Sequence, residues 1–351
     1  MITEEKVLAA LAHVDDPDLK KDLVTLGMIQ NLNIGDRISF DLVLTTPACP
    51  MKDMMVNACK TAIRMMVDPA ITVDINVTSQ VSTTRQADAV LPGVKNVIAV
   101  GSGKGGVGKS TVAVSLALAL RKAGATVGLL DADIYGPSIP TMFGVSEAPP
   151  MMQKGDKQVI VPVERQGIKL LSIGLMAAPD QAIVWRGPMI SSAFRQFIND
   201  TEWGELDYLI IDLPPGTGDV QITLSQLVPL TGLIIVTTPQ EVAMADARRA
   251  ISMFRLPSVA KPILGVVENM AYFVPDDAPE KKYHIFGEGG GRRLASETGL
   301  DFLGELPLTQ TYRAQADAGE IDTNSHFFEP YMALAAEVAR KVSIVNSTPV
   351  D

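Results

Sequence analysis

Residues 103–110 read Gly103-Lys104-Gly105-Gly106-Val107-Gly108-Lys109-Ser110, and Thr111 follows them. The run matches the pattern G-x-x-x-x-G-K-[ST], which forms a phosphate-binding loop when a strand precedes it and a helix follows it. An apolar run from Asn96 to Val100 precedes the loop, and a predicted helix from Thr111 to Lys122 follows it. The glycines allow backbone N–H groups to surround phosphate oxygens at the positive end of that helix. We therefore predict a nucleotide-binding P-loop at residues 103–110.

Two side chains of the loop have expected roles in phosphate chemistry. Lys109 is expected to contact the β- and γ-phosphate oxygens, and the Ser110 hydroxyl is expected to bind Mg²⁺. A second lysine, Lys104, stands early in the loop. Taken alone, Lys104 is either a participant in the chemistry or a solvated loop residue.

Short runs that are apolar at nearly every position recur after residue 96, with helical segments between them. Such runs are typical of strands buried on both faces, as in a mostly parallel sheet with helices on both sides. A buried helix segment is the alternative for any single run, but the regular recurrence argues against it for the set. The predicted strands are Val97–Val100, Thr126–Leu130, Lys169–Ile173, Tyr208–Ile211, Gly232–Thr237 and Pro262–Val267. The larger part of the chain is therefore predicted to be an α/β P-loop NTPase domain.

The first ninety residues have a different pattern. Predicted helices at Glu4–His13 and Pro50–Met66 alternate with predicted strands at Arg37–Thr45 and 71–78, which indicates a small α+β domain. A polar stretch without apolar periodicity, 79–88, follows. We place the domain boundary there, which gives domains 1–90 and 91–351.

Composition limits the kinds of partner. The 351 residues are 47% hydrophobic and 20% charged, which is enough apolar material for a sizeable core. A net charge of −10 argues against a nucleic-acid partner bound through its phosphates.

The sequence also indicates the compartment. Apolar stretches such as Val112–Leu120 fall short of the ~20 residues that a membrane span requires, so no membrane partner is expected. With two cysteines and no export signal at the N-terminus, we expect a cytoplasmic protein.

Three aspartates stand at the ends of predicted strands, where ligands gather in open α/β sheets. Asp131 and Asp133 follow one apolar run, and Asp212 ends another. Asp212 suits Mg²⁺ ligation through a water molecule, with the Gly216 N–H available to the γ-phosphate. Aspartates at such positions also cap helices, which is the alternative for each of them.

The early lysine in Lys-Gly-Gly-x-Gly-Lys-Ser-Thr resembles the deviant P-loop of ATPases related to nitrogenase iron protein and to septum-placement and plasmid-partition ATPases. In that superfamily the early lysine reaches the nucleotide of the other subunit. The resemblance therefore implies a homodimer in which Lys104 acts across the interface and Asp133 positions the attacking water.

The resemblance also implies how the base is recognised. Asn269 is expected to read adenine, with the loop after Leu306 and Pro307 packed on the ring. The guanine-reading Asn-Lys-x-Asp pattern is absent after Asn269, which favours ATP over GTP.

The combination of motifs along nearly the whole chain resembles the Mrp-type iron–sulfur cluster carrier ATPases. The motifs are Thr45-Thr46-Pro47-Ala48-Cys49-Pro50, the deviant P-loop, Asp131-Ala132-Asp133-Ile134-Tyr135-Gly136-Pro137-Ser138, Trp185-Arg186-Gly187-Pro188, Asp212-Leu213-Pro214-Pro215-Gly216-Thr217-Gly218-Asp219, Glu268-Asn269-Met270 and Ile285-Phe286-Gly287. The resemblance implies ATP, Mg²⁺ and an iron–sulfur cluster as ligands. It also implies apoprotein acceptors and assembly proteins as partners.

The sequence departs from this family in its cysteines. Many members carry Cys-x-x-Cys between the Asn-Met and Phe-Gly motifs, but residues 272–284 contain no cysteine. Cys49 is then the best thiol candidate, because Pro50 favours a helix start, which would place Cys49 near an N-cap where the helix dipole lowers a thiol pKa. A plain N-cap residue is the alternative for Cys49. Cys59, in a stripe with Met55 and Ile63, is predicted to be a core residue.

Two other functions compete with the carrier hypothesis. A partitioning or positioning ATPase requires a basic face or a basic amphipathic helix at the C-terminus, and Arg340–Asp351 contains only Arg340 and Lys341 as cations. A metabolic P-loop kinase requires an acceptor pocket, which no sequence pattern reveals. The ATP-dependent cluster carrier is therefore the leading hypothesis.

Overall fold

The computed structural model describes residues 2–85, 90–176 and 187–348, and it describes residues 187, 188 and 219 without their side chains. Trp185 and Arg186 of the family motif, and residues 86–88 of the predicted linker, lie outside the described residues. The chain divides into two compact units. One contains the residues up to Thr84 together with those from Ala339 onward, and the other runs from Arg85 to Val338.

The first unit is a small α+β fold, as predicted. Its elements are α1 (Glu4–Leu11), β1 (Asp15–Asp16), β2 (Lys21–Asp22), β3 (Ile29–Ile34), β4 (Arg37–Leu44), α2 (Lys52–Met66) and β5 (Thr72–Ser79). Strand β4 pairs with β3 in antiparallel and with β5 in parallel orientation. Alternate residues of β4 point into the core, since Ile38, Phe40, Leu42 and Leu44 are buried. The helices contribute buried residues that include Leu11, Met55, Cys59 and Ile63.

Residues near the C-terminus complete this unit, which the sequence pattern did not indicate. The Arg340 guanidinium forms an ion pair with Asp18, with Nη1 2.6 Å from Oδ1. The Asn346 side-chain amide donates to the Ser82 carbonyl over 2.9 Å. Both contacts tie residues from the end of the chain to residues from its beginning.

The second unit is a mostly parallel eight-stranded sheet with helices, as predicted. Its elements are β6 (Val94–Ser102), α3 (Lys109–Lys122), β7 (Val127–Asp131), α4 (Ile139–Met142), β8 (Met151–Lys154), β9 (Lys157–Ile160), β10 (Val163–Arg165), β11 (Ile168–Ser172), α5 (Gly187–Asn199), β12 (Leu206–Asp212), α6 (Asp219–Leu227), β13 (Gly232–Thr237), α7 (Glu241–Phe254), β14 (Ile263–Val274), α8 (Gly290–Thr298), β15 (Phe302–Thr309), α9 (Gln310–Ala318) and α10 (Glu329–Ser347), the last of which extends into the residues grouped with the first unit. The strand order is β10-β11-β7-β12-β6-β13-β14-β15. Each of the six predicted apolar runs forms a strand of this sheet.

Three features of the sheet region were not predicted. Strand β15 contains Gly304 and Pro307, so it lacks the continuous apolar run of its neighbours. Strand β10 joins the edge of the sheet in antiparallel orientation, and β8 and β9 form a separate antiparallel pair. Short, exposed strands of this kind carry little hydrophobic signal.

The topology gathers the predicted site residues at one edge of the sheet. The P-loop follows β6, which lies between β12 and β13. Asp131 ends β7 and Asp212 ends β12, and the two residues are paired in the sheet register. Ligands of open α/β sheets bind at the carboxyl ends of the strands, near the point where the strand order reverses. Within the described ranges, no helix has the length and apolar character to cross a membrane.

Candidate nucleotide site

The P-loop connects the end of β6 to the first turn of α3. Gly108 has φ +78°, a left-handed conformation that favours glycine, and a Cβ there would lie 2.2 Å from Asn269 Nδ2. A Cβ on Gly103 would lie 2.2 Å from the Asp246 backbone. The loop and its neighbours, among them Asp133, Gly136 and Pro215, line a cavity of about 270 Å³. Two glycines of the motif are therefore required by close packing, and the cavity is large enough for phosphate groups.

Lys109 lies at the bottom of this cavity. Its Nζ is 2.6 Å from Asp212 Oδ1 and 3.4 Å from Asp133 Oδ2. It is also 3.3 Å from the Ser110 hydroxyl. The side chain is only 5% exposed, so its charge is balanced by the two carboxylates. The structure thus brings together four residues that the sequence analysis selected: Lys109, Ser110, Asp133 and Asp212.

Asp212 is fully buried at the end of β12. Burial raises the pKa of its carboxyl group, and the Lys109 ammonium group opposes that rise. The Oδ2 atom is buried and has no hydrogen-bond partner among the residues described. An uncompensated carboxylate oxygen close to Lys109 and Ser110 fits a hydrated Mg²⁺ ion, which supplies the missing partner through its water. The residues present are therefore suited to Mg²⁺.

Asp131 organises the segment that carries Asp133. Its Oδ1 accepts the Asp133 N–H over 3.1 Å, and its Oδ2 accepts the Ser172 hydroxyl over 3.0 Å and the Ile139 N–H over 3.4 Å. Burial and the neighbouring charge of Asp212 raise the pKa of Asp131 to about 7. Ser172, at the end of β11, was not singled out from the sequence, because a lone serine carries no motif. The carboxylate of Asp131 faces this segment and Ser172, and the side chain of Asp133 faces Lys109.

The Gly216 amide has a partner in this structure. Its N–H donates to the Ser102 carbonyl over 3.0 Å. The loop thus folds back on the end of β6 in this structure, and the expected contact of the Gly216 N–H with a γ-phosphate stays a prediction. The Gln221 side chain, which the sequence analysis did not select, donates to the same Ser102 carbonyl over 3.4 Å.

A second cavity of about 420 Å³ adjoins the P-loop, lined by Thr111, Asn269, Pro307, Tyr312 and Tyr331 among others. The Asn269 Nδ2 donates to the Val107 carbonyl over 2.9 Å. Strand β15 continues beyond Leu306 and Pro307 to Thr309, and α9 begins at Gln310, so the prediction of a loop after Pro307 is wrong. Pro307 nevertheless lines the cavity, as does Asn269.

Tyr312 is a residue of this cavity that the sequence did not reveal. Its hydroxyl group shares a hydrogen bond with the hydroxyl group of Ser115 of α3, and its ring stacks on Tyr331 with centroids 4.8 Å apart. Burial raises the pKa of Tyr312 well above the ordinary tyrosine value. The ring is therefore a fixed, neutral wall of the cavity, tied to the helix that follows the P-loop.

Comparisons with known proteins identify the family of the chain. A family model described as NUBPL iron-transfer P-loop NTPase matches residues 93–343. The chain belongs to this family. A second model, described as iron-sulfur cluster assembly protein, matches residues 4–77. The resemblance inferred from the motifs is thereby confirmed at the level of the family.

Relatives of this iron-transfer NTPase carry consistent names. The chain is 46% identical to an iron-sulfur cluster carrier protein of Synechocystis, over 98% of this chain and 99% of that protein. It is 50% identical to a carrier of the same name in Deinococcus radiodurans, over 90% and 87% of the two chains. It is 44% identical to the chloroplastic Fe-S cluster assembly factor HCF101 of Arabidopsis, over 90% of this chain and 59% of that protein.

Solved structures share the fold of the larger unit. A nucleotide-binding protein of Archaeoglobus fulgidus in complex with ADP is 38% identical and superimposes with a TM-score of 0.57, over 67% of this chain and 91% of that chain. The septum site-determining protein MinD of Pyrococcus horikoshii has a TM-score of 0.50 at 19% identity, over 68% and 94% of the chains, and shows likeness of fold alone. This NTPase therefore has the predicted P-loop fold.

The side chain of Lys104 has no hydrogen-bond or ion-pair partner among the described residues of the iron-transfer NTPase. The residue is half-buried, and its side chain makes no hydrogen bond or ion pair with the described residues. Its backbone carbonyl accepts the Ser102 hydroxyl over 2.9 Å. The backbone of the early lysine is thus held in place, while its ammonium group has no ion-pair partner among the described residues.

Cys49 of the iron-transfer NTPase differs from its predicted environment. The N-cap of α2 is Met51 and the helix begins at Lys52, so Cys49 precedes the cap. Burial raises the pKa of the Cys49 thiol, the nearby Asp16 and Asp18 raise it further, and the amides of Met51 and Lys52 offset only part of the rise. The predicted lowering of the pKa is therefore wrong, because burial outweighs the helix terminus.

The second thiol behaves as predicted. Cys59 is fully buried in the core of the first unit, and burial raises its pKa to about 11. Both cysteines are free. Across the described ranges, no group of three or more His, Cys, Asp or Glu side chains is arranged to hold a metal ion. A cluster bound by this NTPase therefore has no complete set of ligands on the described part of one subunit.

Proposed function

We propose that this protein binds and hydrolyses ATP and carries an iron–sulfur cluster to apoproteins. The observation that carries the proposal is the group formed by Lys109, Asp133 and Asp212 in a loop-lined cavity, within a chain of the iron-transfer P-loop NTPase family. Relatives named iron-sulfur cluster carrier protein support the cargo.

Several residues of the chain have separate roles in the proposed hydrolysis. Lys109 exchanges its carboxylate partners for the β- and γ-phosphate oxygens, which concentrates positive charge where negative charge builds up. Ser110 and, through water, Asp212 hold Mg²⁺, which neutralises phosphate charge when bound. Asp133, whose Oδ2 already faces Lys109, positions the attacking water. Gly103 to Ser110 supply backbone N–H groups, and Thr111 continues the helix N-terminus behind them.

The amide of Asn269 supports adenine as the base. Its Nδ2 donates a hydrogen bond to the Val107 carbonyl, so its Oδ1 is the atom that remains available to a ligand in the adjoining cavity. A carbonyl oxygen accepts the exocyclic amino group of adenine, whereas guanine offers an acceptor at the corresponding position. ATP is therefore the proposed substrate.

The unpartnered ammonium group of Lys104 supports action in a homodimer. A cation that has no counter-charge on its own described subunit is available to a nucleotide bound by a second copy. Charge on the γ-phosphate grows in the transition state, so such a lysine contributes to hydrolysis more than to binding.

Cluster transfer is assigned to the Cys49 region of the first unit. With two cysteines per chain, four thiolate ligands require both cysteines of two subunits, and Cys59 is buried. The cluster is therefore proposed to be held weakly, through Cys49, and passed on to apoproteins with help from assembly proteins. Because both thiols must stay reduced, the proposed compartment is the cytoplasm.

Two measurements test the ATPase half of the proposal. Calorimetry should show Mg·ATP binding to the wild type and its loss in Lys109→Ala, which removes the loop cation. Phosphate release should be seen with the wild type in the absence of any small-molecule acceptor. Unchanged ATP affinity in Lys109→Ala would refute the P-loop assignment, and strict dependence on an acceptor would indicate a kinase.

Anaerobic reconstitution tests the cluster half. We expect a labile iron–sulfur species that Cys49→Ser eliminates and Cys59→Ser weakens less, while ATP hydrolysis survives both changes. Iron and sulfide analysis with visible absorption follows the cluster. A robust cluster in the Cys49→Ser protein would show that Cys49 is not the ligand.

A further inference from the structure

One buried carbonyl group at the edge of the phosphate cavity has two donors. The Ser102 carbonyl, at the end of β6, accepts the Gly216 N–H over 3.0 Å. It also accepts Nε2 of Gln221, in the first turn of α6, over 3.4 Å. The same Nε2 donates to the Pro214 carbonyl. Gln221 is 1% exposed, so these hydrogen bonds are shielded from solvent.

The Gln221 amide is only partly satisfied by hydrogen bonds. Its nitrogen faces two carbonyl oxygens, which fixes the orientation of the amide. Its Oε1 is then buried and has no hydrogen-bond partner in the described part of the chain. A buried acceptor without a donor is destabilising, and this cost offsets part of the stabilisation from the two contacts of Nε2. What the amide supplies at this position is its N–H groups.

The Gly216 amide must change partners if it is to bind ATP. Pro215, its neighbour, lines the same cavity as Lys109 and Asp133, where the γ-phosphate is expected. To reach a γ-phosphate oxygen, the Gly216 N–H has to leave the Ser102 carbonyl. A buried carbonyl that loses its donor opposes such a change.

We infer that Gln221 is a positioning residue that keeps the Ser102 carbonyl hydrogen-bonded while the Gly216 N–H moves to the γ-phosphate. The inference rests on the proposed ATP binding at the P-loop. ADP has no γ-phosphate, so its binding requires no exchange of partners. Gln221 therefore contributes to the preference for a nucleoside triphosphate over the diphosphate.

The variant Gln221→Met separates these effects, because methionine keeps the unbranched shape and removes both N–H groups. We expect its affinity for Mg·AMPPNP to fall about tenfold, as for one buried acceptor left without a donor, and its affinity for Mg·ADP to stay within about twofold. Calorimetry measures both. Gln226→Met is the matched control, since Gln226 lies on the same helix and donates to the Ser258 carbonyl at an exposed position. Equal losses for the two nucleotides, or no loss, would overturn the inference.

A measurement on the wild type does not depend on the folding of a variant. The sequence contains two Pro–Gly pairs, Pro92–Gly93 and Pro215–Gly216, so labelling proline carbonyl carbon and glycine nitrogen isolates two amide signals. The Gly216 signal should differ between the ADP-bound and AMPPNP-bound protein, and the Gly93 signal should not. An unchanged Gly216 signal would overturn the inference. If the wild type binds neither nucleotide, the ATPase proposal fails and this inference fails with it.

Discussion

The behaviour of two single residues can be predicted most directly. One is a lysine without an ion-pair partner in the described part of the chain, and the other is a thiol with a raised pKa. Lys104 and Cys49 lie in different units, and each is partly exposed to solvent. Their predicted effects concern rate and reactivity, with little change in stability.

Lys104→Ala should spare nucleotide binding by one subunit and abolish most hydrolysis. The physical reason is that a cation acting on the partner's nucleotide is needed when charge builds on the γ-phosphate. We expect ATP affinity within about threefold of the wild type and a loss of kcat of about a thousandfold or more, within the range for a trans-acting cation. Wild-type turnover by this variant, measured by phosphate release, would contradict the dimer proposal.

Cys49 should react slowly with iodoacetamide at neutral pH. Burial, Asp16 and Asp18 raise its pKa, so the thiolate is scarce at pH 7 and forms as the pH rises above the ordinary cysteine value of about 8.5. Alkylation followed by mass spectrometry between pH 6 and pH 10 should give a midpoint above that value, and Asp18→Asn should lower it. A midpoint below 8 would show that the helix terminus controls the thiol after all.

At the scale of elements, the P-loop depends on a contact with a distant strand. Gly108→Ala adds a Cβ at φ +78° that would lie 2.2 Å from Asn269 Nδ2. We expect the variant to lose ATP affinity by at least about tenfold, because strain and steric overlap both act on the loop. Gly136→Ala is the control in the same cavity, where a Cβ meets nothing within 4 Å. Similar losses in both variants would show that the effect is not specific to the Asn269 contact.

The elements that the sequence predicted are those with a strong local signal. Continuous apolar runs identified six strands of the large sheet, and the glycine-rich motif identified the loop between β6 and α3. Strand β15 gave no such signal, because glycine and proline interrupt it. The partners of Asn269 and Gln221 could not be predicted either, since Asn269 contacts Val107 across 162 positions of sequence and Gln221 is a single polar residue in a helix.

At the scale of the whole molecule, the first unit depends on the later turns of α10. The double variant Arg340→Met with Asn346→Ala removes the ion pair with Asp18 and the hydrogen bond to the Ser82 carbonyl. We expect the free energy of unfolding of this unit to fall by about 2 kcal/mol, from a partly exposed ion pair and one hydrogen bond. Hydrogen exchange of peptides from residues 2–84 measures it.

Two controls accompany this measurement. Arg37→Met removes an exposed ion pair with Asp74 in the same unit and should change exchange only slightly. Trp203, buried in the second unit, should keep its unfolding transition in the double variant. Unchanged exchange of residues 2–84 in the double variant would show that the C-terminal contacts are dispensable.

The contacts of Arg340 and Asn346 also bear on how the protein is made. A ribosome synthesises residues 2–84 well before their partners from Ala339 onward. At about 5–20 residues per second, the early segment waits on the order of ten to fifty seconds for them. During that interval the apolar surface of residues 2–84 lacks its final cover, so nascent chains of this protein should bind chaperones through these residues until residues 339–348 have been synthesised.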